Sequence, residues 1–203
     1  MPKTYLEELD YKLYYTKGVR FEAHDRLKRT AKLSMISANL LYAYLIVAGL
    51  LTVYNIHSEQ LISSNMMAYL ITSLSILLMV FNQVEAMKHY DRRGKAFLQC
   101  ALALSSLYEE LHIFQTLKGS SSEQEVADFA YQIKTSYELT LQDSENHLPI
   151  DYDLYRAKKS KQLGLSTWQR SYIRLKHYIS TYFFYHLLIG SPVVLGGMIL
   201  VVG

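Results

Sequence analysis

The placement of basic residues constrains this chain more than any other feature. It holds 21 Lys and Arg. Eight precede Leu33, thirteen lie between Glu85 and Lys176, and none follows. Two charge-free runs, Leu33–Ile56 and Gln60–Val84, carry no Lys or Arg, and neither does the His57-Ser58-Glu59 connection between them. Each run of about 24 residues reaches about 36 Å as a helix, against a hydrocarbon core of about 30 Å. Basic residues on one side of a hairpin mark the cytoplasmic side. The pattern predicts an all-α membrane protein: a transmembrane helical hairpin, a cytoplasmic helical, coiled-coil-like domain, and a third C-terminal span.

The predicted organisation is 1–32 as an N-terminal cytoplasmic helix, 33–84 as the hairpin, 85–177 as the cytoplasmic domain and 178–203 as a C-terminal transmembrane helix. Mean hydropathy is near zero because apolar runs and a charged middle cancel. With three spans, roughly 130 residues stay outside the bilayer, enough for a small helical domain. The single cysteine, Cys100, excludes a disulfide framework or a thiol-rich metal site. Residues 1–32 are charged throughout and do not read as a signal peptide.

Local signals set the helix starts. Thr4/Glu7, Ser122/Glu125 and Ser166/Gln169 are spaced as capping boxes. Gly18 is expected to loosen the first helix. Arg20, Arg26, Lys28, Arg29 and Lys32 are expected to meet anionic headgroups at the first span. The second span is expected to continue unbroken into a helix whose seam is Phe97, Cys100, Leu104, Leu107, Leu111 and Phe114. Gly119 with Ser120-Ser121-Ser122 should end it. The next helix, to about Glu145, offers Val126, Phe129, Ile133, Tyr137 and Thr140, so the seam is expected to pack there or on a neighbouring copy. Pro149 breaks the chain, and Asp151 is expected to cap a short helix to about Lys158. In the third apolar run, Gly190, Pro192, Gly196 and Gly197 would kink the helix or let it pack closely.

Both hairpin helices carry polar or small residues at heptad spacing. The first stripe includes Ser34, Ser37, Tyr44, Thr52 and Asn55; the second includes Asn65, Thr72, Ser75 and Asn82. A polar side chain in lipid needs a partner, so each stripe is expected to face another helix or water. Helix packing and an oligomeric pore both fit; the second stripe, with more hydrogen-bonding capacity, is the better lumen candidate, with Ser37, Tyr44 and Thr52 as further candidates. Glu85 is expected to reach the headgroups beside Lys88. Lys158, Lys159, Lys161, Arg170, Arg174 and Lys176, interleaved with Tyr155, Trp168 and Tyr172, suit lipid headgroups better than nucleic acid. The histidines lack ligand spacing, and no phosphate loop or nucleophile elbow is present. The expectation is a non-enzymatic protein with no metal and no cofactor.

Several short motifs carry a family resemblance. They are Thr16-Lys17-Gly18-x-Arg20-Phe21, Arg26-Leu27, Tyr90-x-x-Arg93, Gln99-Cys100-Ala101-Leu102, Leu107-Tyr108-x-Glu110-Leu111 and Glu145-Asn146-His147-x-Pro149-Ile150-Asp151-Tyr152. Over about residues 10–160 the chain resembles the SLATT proteins, the SMODS- and SLOG-associating two-transmembrane effector domains, and specifically the fifth family of that group. The resemblance implies a prokaryotic inner-membrane effector of an antiviral conflict system. Such an effector forms pores or breaches the membrane on a signal, ending the infected cell by abortive infection. Association with a reverse transcriptase or a nucleotide-signal synthase is implied as well. The rival expectation is a membrane anchor that tethers such a partner. The Asn146, His147, Pro149, Asp151 and Tyr152 box is expected to be structural, with His147 and Tyr152 as buried partners, or else a sensing surface.

Overall fold

The computed structural model describes residues 4–54, 63–117, 119, 122–142, 144–159 and 163–202. The His57-Ser58-Glu59 connection, Asn55, Ser120, Ser121, Lys161 and Gly203 lie outside the described residues. The described elements are helices: α1 Tyr5–Val53, α2 Ser64–Met87, α3 Tyr90–Leu117, α4 Glu123–Gln142, α5 Pro149–Lys158 and α6 Thr167–Tyr178, then a π-helical turn Ile179–Phe183 leading into α7 Phe184–Val202. Cα packing divides the chain into two units, Met1–Lys28 with Asp91–Leu175, and Arg29–Tyr90 with Lys176–Gly203.

The capping boxes form as their spacing requires. Thr4 N–H donates to Glu7 Oε2 at 3.0 Å and Glu7 N–H to Thr4 Oγ1 at 3.4 Å. Ser122 and Glu125 exchange bonds of 2.8 and 3.3 Å, and Ser166 and Gln169 bonds of 3.0 and 3.2 Å. Each box satisfies two N–H groups that the first turn of a helix leaves free.

In the first unit, Leu6, Leu9 and Leu13 of α1 pack with Cys100, Leu104 and Leu111 of α3 and with Ala130 and Ile133 of α4. Leu107, Phe114, Val126, Phe129 and Tyr137 flank this core. The Phe114 and Phe129 rings stack with centroids 3.8 Å apart. The α3 seam therefore finds α4 within the same chain, and it also finds α1, which the α3–α4 pattern alone did not reveal. Each fully buried leucine contributes about 1.5–3 kcal/mol.

Gly18 does not loosen α1, which runs through it. Its role is steric. A Cβ built there would lie 2.2 Å from Tyr155 Cε2, so the bare glycine lets the Tyr155 ring of α5 lie against α1. Burial also holds the Tyr155 phenol above its ordinary pKa. Gly18→Ala is expected to lose about 1–3 kcal/mol of stability through overpacking, despite alanine's better helix propensity. Chemical unfolding followed by far-UV circular dichroism measures this, and a Gly18→Ala/Tyr155→Leu pair should recover most of the loss.

In the second unit, one expectation is corrected. The second span does not continue unbroken: Lys88 and His89 separate α2 from α3, and His89 takes φ 47°. Lys88 N–H turns to the Glu85 carbonyl at 3.2 Å and His89 N–H to the Ala86 carbonyl at 3.3 Å, tightening the last turn of α2. Pro192 sits inside α7. Close by, the Ile189 carbonyl accepts the Tyr44 hydroxyl of α1 at 3.1 Å.

Candidate functional site

Two helical stretches, within Tyr5–Val53 and Ser64–Leu117, are long and apolar enough to cross a membrane. Only 6 % of the apolar window in each is buried within the chain, whereas the core helix of a soluble protein would be mostly buried. Large apolar side chains such as Ile46, Val47, Leu50, Leu74, Ile76 and Leu77 are exposed along them. In water that surface would drive association; in lipid it is solvated.

The two polar stripes lie in different surroundings. Ser34 and Ser37 are buried, Tyr44 donates to α7, and Thr52 is half-buried. On α2, Asn65, Thr72 and Ser75 are exposed in the single chain. Asn82 is half-buried and donates its amide to the Tyr42 hydroxyl and to the Leu78 carbonyl. The expectation that every stripe hydroxyl needs another helix or water is corrected. Ser37 donates to Ser34 O at 2.9 Å, Thr52 to Ala48 O at 2.9 Å, Thr72 to Ala68 O at 2.8 Å and Ser75 to Ile71 O at 2.7 Å. A hydroxyl that back-bonds one turn earlier is already satisfied.

Glu85 ends α2 facing inward, only 8 % exposed, and not toward headgroups. It pairs with Lys88, and its Oε2 accepts the Tyr185 hydroxyl of α7 at 2.7 Å. Tyr185 also shares a hydrogen bond of 3.1 Å with the Tyr90 hydroxyl. The Phe81 and Phe184 rings lie 6.3 Å apart beside this network. A buried carboxylate held by an ammonium and a phenol thus ties α7 to the end of α2. Sequence reasoning placed Glu85 at the membrane edge but missed Tyr185, which lies 100 residues away.

Within the Asn146–Tyr152 box, Asp151 is the residue turned into the first unit. Asp151 is fully buried. Its carboxylate accepts two parallel bonds from Arg26, Nε to Oδ1 at 2.6 Å and Nη2 to Oδ2 at 3.0 Å, and also the Leu148 N–H at 3.0 Å. Asp151 therefore caps α5 from its third position, with Leu148 as the capping residue and Pro149 first in the helix. Asp151 thus caps the short helix as expected, from inside its first turn. Arg20 is also buried; it donates to the Glu145 carbonyl and lies over the Phe97 ring. Arg20 and Arg26 are thus turned inward and do not meet headgroups. Their charges find acceptors more than 100 residues away, a pairing that local charge patterning does not reveal. His147 is half-buried, whereas Asn146 and Pro149 are exposed. Tyr152 is 36 % exposed, so it is not the buried partner expected.

The basic stretch divides. Lys158 Nζ donates to Glu22 Oε2 at 2.7 Å, and Lys159 Nζ lies 5.6 Å from the Tyr14 ring centroid. Arg170 is half-buried. Arg174 and Lys176 are exposed on α6, which also presents Trp168 and Tyr172. No group of three or more His, Cys, Asp or Glu able to hold a metal occurs among the described residues.

Helices that could cross a membrane, joined in one chain to a packed helical unit, define a helical membrane-domain protein. The chain belongs to the SMODS and SLOG-associating 2TM effector domain family 5, whose family model matches residues 2–198. The match reaches into α7, so the third apolar run is part of the family's own extent. No curated protein and no solved structure matches the chain.

Proposed function

We propose that the chain is an oligomeric effector of a prokaryotic conflict system that permeabilises the inner membrane on a signal. The observation that carries the reading is the exposure of Asn65, Thr72 and Ser75 on a helix apolar enough to span. No described helix of the same chain covers them; the back-bonded Thr72 and Ser75 hydroxyls are tolerated in lipid, and this uncovered polar face supports contact with a neighbouring copy or with water. One chain has too few spans to enclose a wide aqueous channel, so the lumen requires several copies. The basic residues put the N-terminus and residues 85–177 in the cytoplasm, with α7 as a third span. The Glu85–Tyr185 contact braces α7 against α2 in the closed form. A reverse transcriptase or a nucleotide-signal synthase is the partner class that supplies the trigger. Arg174 and Lys176 lie at the headgroups with Trp168 and Tyr172.

Dye release from vesicles carrying the purified chain tests the lumen. Replacing Thr72, Ser75 and Asn82 together by Leu turns a wet wall apolar and favours dewetting. The expected result is normal insertion with release reduced by about tenfold or more, since a dewetted constriction adds a barrier above about 1.4 kcal/mol. Full release by the triple variant would remove the α2 stripe from the lumen.

A further inference from the structure

Three arginines of the first unit contact the Glu145–Asp151 segment, and two of them are matched by carboxylates. Arg26 pairs with Asp151, and Arg93 Nε donates to Glu145 Oε1 at 2.7 Å. Arg20, only 2 % exposed, has no carboxylate partner among the described residues. It donates to the Glu145 carbonyl, its guanidinium carbon lies 5.3 Å from the Phe97 centroid, and its Nε–H is buried without an acceptor. A buried charge ordinarily carries a counter-ion, because desolvation without one costs several kcal/mol. The second observation lies on the same segment. His147 Nδ1 is also buried without a partner, two residues from the Glu145 carbonyl that accepts Arg20.

We propose that Arg20 and His147 form a binding site for a phosphate-type oxyanion, reached along the edge of the Glu145–Leu148 segment. Arg20 offers a fixed N–H and a full charge, the chemistry that selects phosphate. His147 offers a second donor, and because its ring is only half-buried and its neighbours Asn146 and Leu148 are exposed, the site has an open side. The sign of the pH dependence follows from the surroundings. Burial and then the Arg20 charge hold His147 below its ordinary range, with Asp151 opposing them. Arg26 and Arg93 are neutralised by Asp151 and Glu145. A bound anion adds negative charge beside the ring and favours its protonated form, so binding takes up a proton and tightens as pH falls. This site is independent of whether the spans form a pore.

The test uses the full chain in detergent free of phospholipid, with inorganic phosphate as the probe and the thermal unfolding midpoint as the readout. Phosphatidic acid in the micelle is a second arm. The midpoint should rise with phosphate; with sulfate, an oxyanion whose charge is constant over this range, the rise should be stronger at about pH 6 than at about pH 8. Arg20→Met should weaken the response by roughly tenfold or more. His147→Gln, which leaves the Arg26–Asp151 pair intact, should weaken it and flatten its pH dependence. A response to phosphatidic acid alone assigns the site to lipid headgroups, and one to inorganic phosphate assigns it to soluble phosphates. No response in either arm, or one undiminished in both variants, would overturn the site.

Discussion

Asp151→Ala is expected to lose about 3–5 kcal/mol, because it removes the fully buried carboxylate that accepts two bonds from the Arg26 guanidinium. Both oxygens of Asp151 are engaged, one by Arg26 Nε and the other by Arg26 Nη2 and the Leu148 N–H. The substitution therefore removes an ion pair and a helix cap together. Urea unfolding of the full chain in micelles, followed at the tyrosines of the first unit, measures the loss. The paired variant Arg26→Met/Asp151→Leu should recover much of it, since a buried ion pair and a well-packed apolar pair are often close in stability. A loss below about 1 kcal/mol in the single variant would mean that the pair is solvated.

Leu104→Asp should be at least as damaging. Leu104 has no exposure and sits in the core with Leu111, Cys100 and Ile133. A carboxylate there has no cation to pair with among those neighbours, so it either stays charged at a penalty of several kcal/mol or is protonated at high pKa. The expected outcome is loss of the cooperative unfolding transition of the first unit. A variant with unchanged stability would place the α3 seam in solvent.

What the sequence made legible is mostly local. Capping boxes are read within four residues, and all three begin helices where their spacing puts them. The α3 seam is a periodicity within one helix, and it packs as a core. Long-range pairings were not legible. Arg20 and Arg26 stand before an apolar run, where a basic residue that meets lipid and one that pairs inside look alike. One signal, a register along α1, separates Arg20, though not Arg26, which is buried outside it. The buried positions Leu6, Leu9, Leu13, Arg20, Ala23, Leu27, Thr30, Ser34 and Ser37 lie on one alternating three- and four-residue spacing along α1, with half-buried Thr16 in the same register. The stripe noticed in the first span is the continuation of that seam. Extending it back to Leu6 marks Arg20 as inward-facing and brings α1 into the core. Gly18 also stays ambiguous in sequence, because a glycine that loosens a helix and one that admits a tyrosine ring look the same until the ring is located.

The Glu85–Tyr185–Tyr90 network was hidden for a different reason. A carboxylate at a span end reaches headgroups as easily as it turns inward, and Tyr185 sits in a run whose place in the fold rests on tertiary packing. His89 in the left-handed region, between α2 and α3, likewise has no glycine or proline to announce it.

The most direct measurement of the central claim is membrane potential in cells that carry the chain with its partner system, read with a voltage-sensitive dye as that system is triggered. The expected result is depolarisation within the triggered cells, absent when Thr72, Ser75 and Asn82 are all leucine although the variant inserts normally. A membrane that stays polarised with the unmodified chain present and the system triggered would contradict permeabilisation and leave a membrane scaffold for the partner as the function.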